Sequence, residues 1–143
     1  MLLTSQLESL PYCHSLTMPT TPAAVRLARQ TMESVLAEWG VNPHHPSVGP
    51  AILTLGELVT NAVRHAAALS PQLTVVCGAE ENCLLLGVHD RHPYRPVLPA
   101  VTPPMPPGGL AMVVEVAADS GGVAFVSGDA DGAGKSVWVT LPL

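Results

Sequence analysis

The chain is 143 residues long, 48% hydrophobic and 12% charged, with a formal net charge of −5. That is the length of one domain with enough apolar material for a real core, so disorder throughout is excluded. The six cations, Arg26, Arg29, Arg64, Arg91, Arg95 and Lys135, are scattered, which argues against direct nucleic-acid binding and a polybasic membrane anchor, since both need many cations on one face.

Residues 1–11 read as a loose, flexible start, with the domain proper over 12–143. Tyr12 to Met18 suits a first strand. Pro19 and Pro22 then punctuate, with Thr20 and Thr21 as candidate helix caps. Ala23 to Trp39 has the spacing of an amphipathic helix, with Val25, Ala28, Met32, Val35 and Trp39 on one stripe, and Gly40 is placed to stop it. A second helix is expected from Ser47 to Ala67, closed by the turn signal Ser70-Pro71. Leu73 to Gly78 and Cys83 to His89 are strand-like, with Glu80-Glu81-Asn82 as the hairpin loop between them. From Pro93 to Pro107 the chain holds seven of its fifteen prolines. Such a stretch is neither helix nor central strand, because each proline removes a donor and fixes φ; it is expected to be a mobile lid. Gly108-Gly109 opens a helix from Leu110 to Asp119. Gly121-Gly122 leads to a strand, Val123 to Ser127, and the acidic turn Gly128 to Gly134 leads to a last one, Ser136 to Leu141. The order β-α-α-β-β-loop-α-β-β predicts an α/β two-layer sandwich: a mixed, mainly antiparallel sheet with helices on one face.

The three cysteines, Cys13, Cys77 and Cys83, are odd in number and form no C-x-x-C pair, so a disulfide framework is not expected and Cys77 and Cys83 read as small buried hydrophobes. A reduced, cytoplasmic setting fits. The N-terminus lacks the pattern of a signal peptide, and no apolar stretch approaches the roughly 20 residues that cross a bilayer.

Chemistry concentrates in Glu57-Leu58-Val59-Thr60-Asn61-Ala62-Val63-Arg64-His65-Ala66. Glu57, Asn61 and His65 fall at i, i+4 and i+8, nearly one above another on a helix. Beside them Ile52, Leu55, Val59, Val63 and Ala66 make an apolar stripe. A helix patterned this way forms core and pocket wall at once, and these residue types bind a hydrated divalent cation or activate a hydroxyl. Taken alone, the ladder reads equally well as a solvated helix face. His89-Asp90-x-His92 admits a second chemistry, metal ligation, against the simpler reading of a strand end with two incidental imidazoles. Arg91 and Arg95 suit phosphate contacts from the lid or mere solvation of it, and His44-His45 reads as an exposed loop.

The order of elements and three segments resemble the histidine-kinase-like ATPase (Bergerat fold) superfamily, in particular its anti-sigma regulatory factor branch of actinobacterial type. Those segments are the Glu57–Ala66 motif, similar to the branch's N-box; Thr21-Pro22-Ala23-Ala24-Val25-Arg26-Leu27-Ala28-Arg29; and Gly134-Lys135-Ser136-Val137-Trp138-Val139-Thr140-Leu141-Pro142-Leu143. The resemblance spans residues 12–143. It implies ATP and Mg²⁺ as cofactors, with Glu57 as the general base, Asn61 as ligand of the Mg²⁺ and Asp90 as acceptor for the adenine amino group. Gly108 and Gly109 would meet the phosphates, Ser136 would lie near the adenine, and His65 would play a supporting part. The implied function is an anti-sigma-type regulator and serine/threonine protein kinase whose partners are a sigma factor and an anti-anti-sigma protein of the STAS type. Dimers are common among similar proteins, so a homodimer is compatible with it.

The chain also departs from the family. Where the adenine motif is Asp-x-Gly-x-Gly, this sequence has Asp90-Arg91-His92-Pro93-Tyr94, and the second glycine motif appears as Pro107-Gly108-Gly109-Leu110. Glycine permits close ligand approach that Pro and Tyr do not. These departures keep an alternative open, a module of the same fold that docks to proteins without ATP. A metal-dependent hydrolase using His89, Asp90 and His92 is a third reading.

Overall fold

A computed structural model describes residues 10–101 and 109–143. Among them five strands and three helices follow in the expected order: β1 (Tyr12–Pro19), α1 (Ala23–Glu38), α2 (Val48–Ala66), β2 (Gln72–Glu80), β3 (Cys83–Asp90), α3 (Gly109–Asp119), β4 (Val123–Gly128) and β5 (Lys135–Pro142). Residues 1–9 of the expected loose start, residues 102–107 of the lid, and Gly108 lie outside the described residues. The described part of the lid, 93–101, has no regular secondary structure.

The strands form one sheet in the order β1-β2-β3-β5-β4. All four neighbouring pairs are antiparallel, so the sheet carries none of the parallel pairing that a mixed sheet would need. Glu80 pairs with Cys83, which shortens the expected hairpin loop to Glu81 and Asn82.

Alternation along the strands separates two faces. Leu73, Val75 and Cys77 of β2, Leu84, Leu86 and Val88 of β3, and Val137, Val139 and Leu141 of β5 form one core with Ala28, Met32, Leu55 and Val59 of the helices. The helices therefore cover one face, as a two-layer sandwich requires. On the other face Leu85 and Trp138 make a smaller cluster with Leu10, Val76 and Phe125.

α1 ends as its sequence dictates. Gly40 has φ +77°, Val41 N donates to Leu36 O and Gly40 N to Ala37 O, both at 3.0 Å: a Schellman cap, which needs a residue free to go left-handed. α3 ends the same way at Gly121 and Gly122. The N-termini differ from expectation. Pro22 precedes α1 and no side chain caps it. Thr20, a candidate cap, is turned inward, and its hydroxyl finds no partner among the described residues. At α2, Ser47 Oγ donates to Pro142 O at 2.5 Å instead of capping the helix, which ties the start of α2 to the end of β5. Cys77 is buried as expected, but Cys83, on the first residue of β3 and facing the other side, is exposed.

Candidate functional site

The C-terminal half of α2 crosses the end of β3, and a cavity of about 440 Å³ opens there. Asn61 and His65 of α2 line it, with Asp90 at the end of β3, Lys135 at the start of β5, Leu110 in the first turn of α3, and His92 and Tyr94 from the segment after β3. A volume of this order suits a small-molecule ligand. Four elements distant in sequence thus converge on one hollow.

Strand periodicity sets its floor. Asp90 follows Leu84, Leu86 and Val88 on the helix-facing side of β3, and Lys135 precedes Val137, Val139 and Leu141 on the same side of β5. The two residues are register partners. Lys135 Nζ donates to Asp90 Oδ1 at 2.7 Å, and both side chains are buried. Two charges so withdrawn from water are tolerable only as a pair. His92 N donates to the same Oδ1 at 2.9 Å, an Asx turn in which the carboxylate supports the chain reversal that follows the strand. Ser70 steadies this corner from beneath: its hydroxyl accepts from Arg91 N at 2.9 Å and donates to Gln72 O at 2.7 Å.

The site residues read from the sequence divide. Asn61, His65 and Asp90 come together around the cavity. Gly109 begins α3 with φ +59°, next to the lining residue Leu110; Gly108 lies outside the described residues. Glu57 is half-buried on α2, one turn before Asn61 and outside the lining of the cavity. Ser136 is on the opposite face of the sheet, paired with Ser127 of β4 and His89 of β3; β5 presents Lys135 to the hollow instead. That lysine was not singled out from the sequence, although the signal was present: with Val137, Val139 and Leu141 facing the core, a period of two places residue 135, not 136, on their side.

The arginines after β3 point elsewhere. Arg91 binds Asp129 at 2.7 Å and Asp131 at 2.9 Å, and Arg95 lies against Gly128. His89 Nε2 is 2.9 Å from Asp129. Both arginines and His89 thus engage the acidic β4–β5 turn and do not line the cavity. The hydrogen bond from Arg91 holds the Asp131 carboxyl below its ordinary value. Among the described residues no group of three or more His, Cys, Asp or Glu side chains is placed to hold a metal ion, so His89, Asp90 and His92 do not form the metal site that their spacing allowed: His89 and Asp90 face opposite sides of the sheet.

No protein-family profile matches the chain, and no curated protein matches it either. Among solved structures, the RsbU and RsbW domains of Rv1364c from Mycobacterium tuberculosis superpose with a TM-score of 0.65 at 20% identity, over 92% of this chain and 33% of that one. That likeness shows a shared fold, a two-layer α/β arrangement with a five-stranded antiparallel sheet. The chain spans about a third of the length of the solved chain it matches. Among the described residues no helix is long and apolar enough to cross a membrane.

Proposed function

We propose that the chain is an anti-sigma-type regulator that holds a Mg²⁺-nucleotide in the cavity between α2, β3, β5 and α3. The observation that carries this reading is the convergence of Asn61, His65 and Asp90 on one hollow beside the start of α3, in a fold shared with a protein described by an RsbW domain. The residues present fit such a ligand. Asp90 Oδ2 accepts no hydrogen bond from a described residue, leaving an acceptor for a base amino group. The Asn61 carboxamide is an oxygen donor of the kind Mg²⁺ takes alongside phosphates and water. The first turn of α3 offers backbone N–H groups and the positive end of a helix dipole to an anion. Bound there, Mg²⁺ would neutralise phosphate charge, while the chain itself binds, orients and shields the nucleotide.

The finer proposal is a serine/threonine protein kinase acting on a STAS-type anti-anti-sigma partner, with a sigma factor as the other partner. Glu57 would then serve the incoming hydroxyl rather than the nucleotide, which suits a carboxylate one turn outside the cavity lining. Thermal shift with Mg-ATP and Mg-ADP tests the nucleotide: a ligand bound only by the folded state raises the melting temperature by mass action. Transfer from labelled ATP to a cognate partner, present in the parent protein and absent in Glu57→Ala, tests the kinase.

One observation favours a second reading, a partner-docking module without nucleotide. Asp90 already holds an internal cation, Lys135, at 2.7 Å. No thermal shift with either nucleotide, together with retained binding to a sigma or anti-anti-sigma protein, would select that reading.

A further inference from the structure

The floor of the cavity presents an acceptor and a donor side by side, and the pair bears on which base it takes. Asp90 receives both of its hydrogen bonds, from Lys135 Nζ at 2.7 Å and from His92 N at 2.9 Å, on Oδ1. No described residue donates to Oδ2. An ammonium carries three protons. One of those on Lys135 goes to Asp90 Oδ1, a second is directed to His92 O at 3.4 Å, and the third has no partner among the described residues. Both residues line the cavity, and their side chains are only 5% and 7% exposed, so unmet hydrogen-bonding capacity there is available to a ligand and poorly served by bulk water.

A lone carboxylate at this place would accept from the 6-amino group of adenine and repel the 6-oxo group of guanine, acceptor against acceptor. The ammonium beside it removes that discrimination. With adenine, Oδ2 accepts from the amino group while Nζ donates to N1. With guanine, Oδ2 accepts from N1–H while Nζ donates to O6. Lysine is a compact cation on a flexible stem with rotatable donors, so one side chain can follow either edge. Resting on the nucleotide reading above, the geometry points to Lys135 as a specificity-determining residue that opens the floor to 6-oxo as well as 6-amino purine nucleotides.

Isothermal titration of the unmodified chain with the Mg²⁺ complexes of ATP, GTP, inosine triphosphate and purine riboside triphosphate tests this. The first three are expected within about tenfold of one another, and the last, which has neither a 6-amino group nor an N1–H to donate to Asp90, weaker by about tenfold or more. Lys135→Met keeps the stem and removes the donor; it should lower affinity for GTP and inosine triphosphate by about tenfold relative to ATP, and Lys135→Arg should restore it. The series on the unmodified chain stands whether or not Lys135→Met folds. ATP binding with GTP and inosine triphosphate excluded by about a hundredfold overturns the inference and leaves the nucleotide reading intact. An ATP-to-GTP ratio unmoved in a folded Lys135→Met protein does the same. If no purine nucleotide binds, both fall together.

Discussion

Trp138 of β5 packs its indole against Gly87 of β3, its register partner on the sheet face away from the helices. A Cβ at residue 87 would overlap the six-membered part of the indole ring. The ring is fixed on its other sides: Nε1 donates to Ser127 Oγ at 3.0 Å, and Phe125 stacks at a centroid distance of 6.5 Å. Glycine inside a strand ordinarily weakens it; here the missing side chain is the space that the indole fills.

Gly87→Ala should therefore destabilise the fold, by about 1–3 kcal/mol as overpacking does. Urea denaturation followed by tryptophan fluorescence measures it. In a Trp138→Val background the cost of Gly87→Ala should shrink, since the overlap is gone; an equal cost in both backgrounds would show that the ring is not the cause.

Lys135 and Asp90 make a second test of packing against charge. Lys135→Met alone leaves a buried carboxylate unpaired and should cost about 3–5 kcal/mol, whereas Asp90→Leu with Lys135→Met should recover most of that stability. The double variant should also lose nucleotide affinity, because it has neither acceptor nor donor at the floor. Chemical denaturation and calorimetric titration on the same samples separate the two effects.

The Cys77 thiol is pushed up from an ordinary value of 9.0 to about 12, chiefly by burial and further by Cys13. The folded state therefore keeps its proton where the unfolded chain has lost it. Stability contributed by the neutral thiol is fully present below pH 9.0 and is lost as pH rises toward about 12. The slope is at most about 1.4 kcal/mol per pH unit for one group. Cys77→Ala should flatten the fall in denaturation midpoint over that window relative to the parent chain. The same burial predicts that a thiol reagent at pH 8 labels Cys77 only on unfolding.

Asn61 and Glu57 are separated by one turn of α2, yet only Asn61 lines the cavity. Asn61→Ala should weaken Mg-ATP binding by about tenfold, the scale of one lost hydrogen bond to a charged group, and Glu57→Ala should change it by no more than about twofold. Loss of phosphoryl transfer in Glu57→Ala with binding retained would assign Glu57 to the transfer step.

Much of this architecture was legible in the sequence because the signals were local. The apolar stripe of α2, the stop at Gly40 and the alternation of β2, β3 and β5 each follow from side-chain spacing and turn chemistry. Other features depended on contacts that no local pattern carries. Thr20 and Thr21 looked like helix caps, but the chain reaches α1 through Pro22 and buries Thr20. The ladder of Glu57, Asn61 and His65 is real, but at 1.5 Å rise per residue it extends about 12 Å, and the cavity meets only its far end. The family resemblance points to Ser136 on β5, although strand parity favours Lys135. The use of Arg91 as a clasp on Asp129 and Asp131 needed the β4–β5 turn in place, a relationship across about 40 residues.

The central claim is that the hollow between α2, β3, β5 and α3 holds a Mg²⁺-nucleotide, and amide NMR of labelled protein titrated with Mg-ATP tests it most directly. Saturable shifts should concentrate at Asn61, His65, Asp90, Leu110 and Lys135, and the same titration of Asp90→Asn should show weaker binding. Spectra unchanged at millimolar Mg-ATP, or shifts confined to residues away from this hollow, would contradict it.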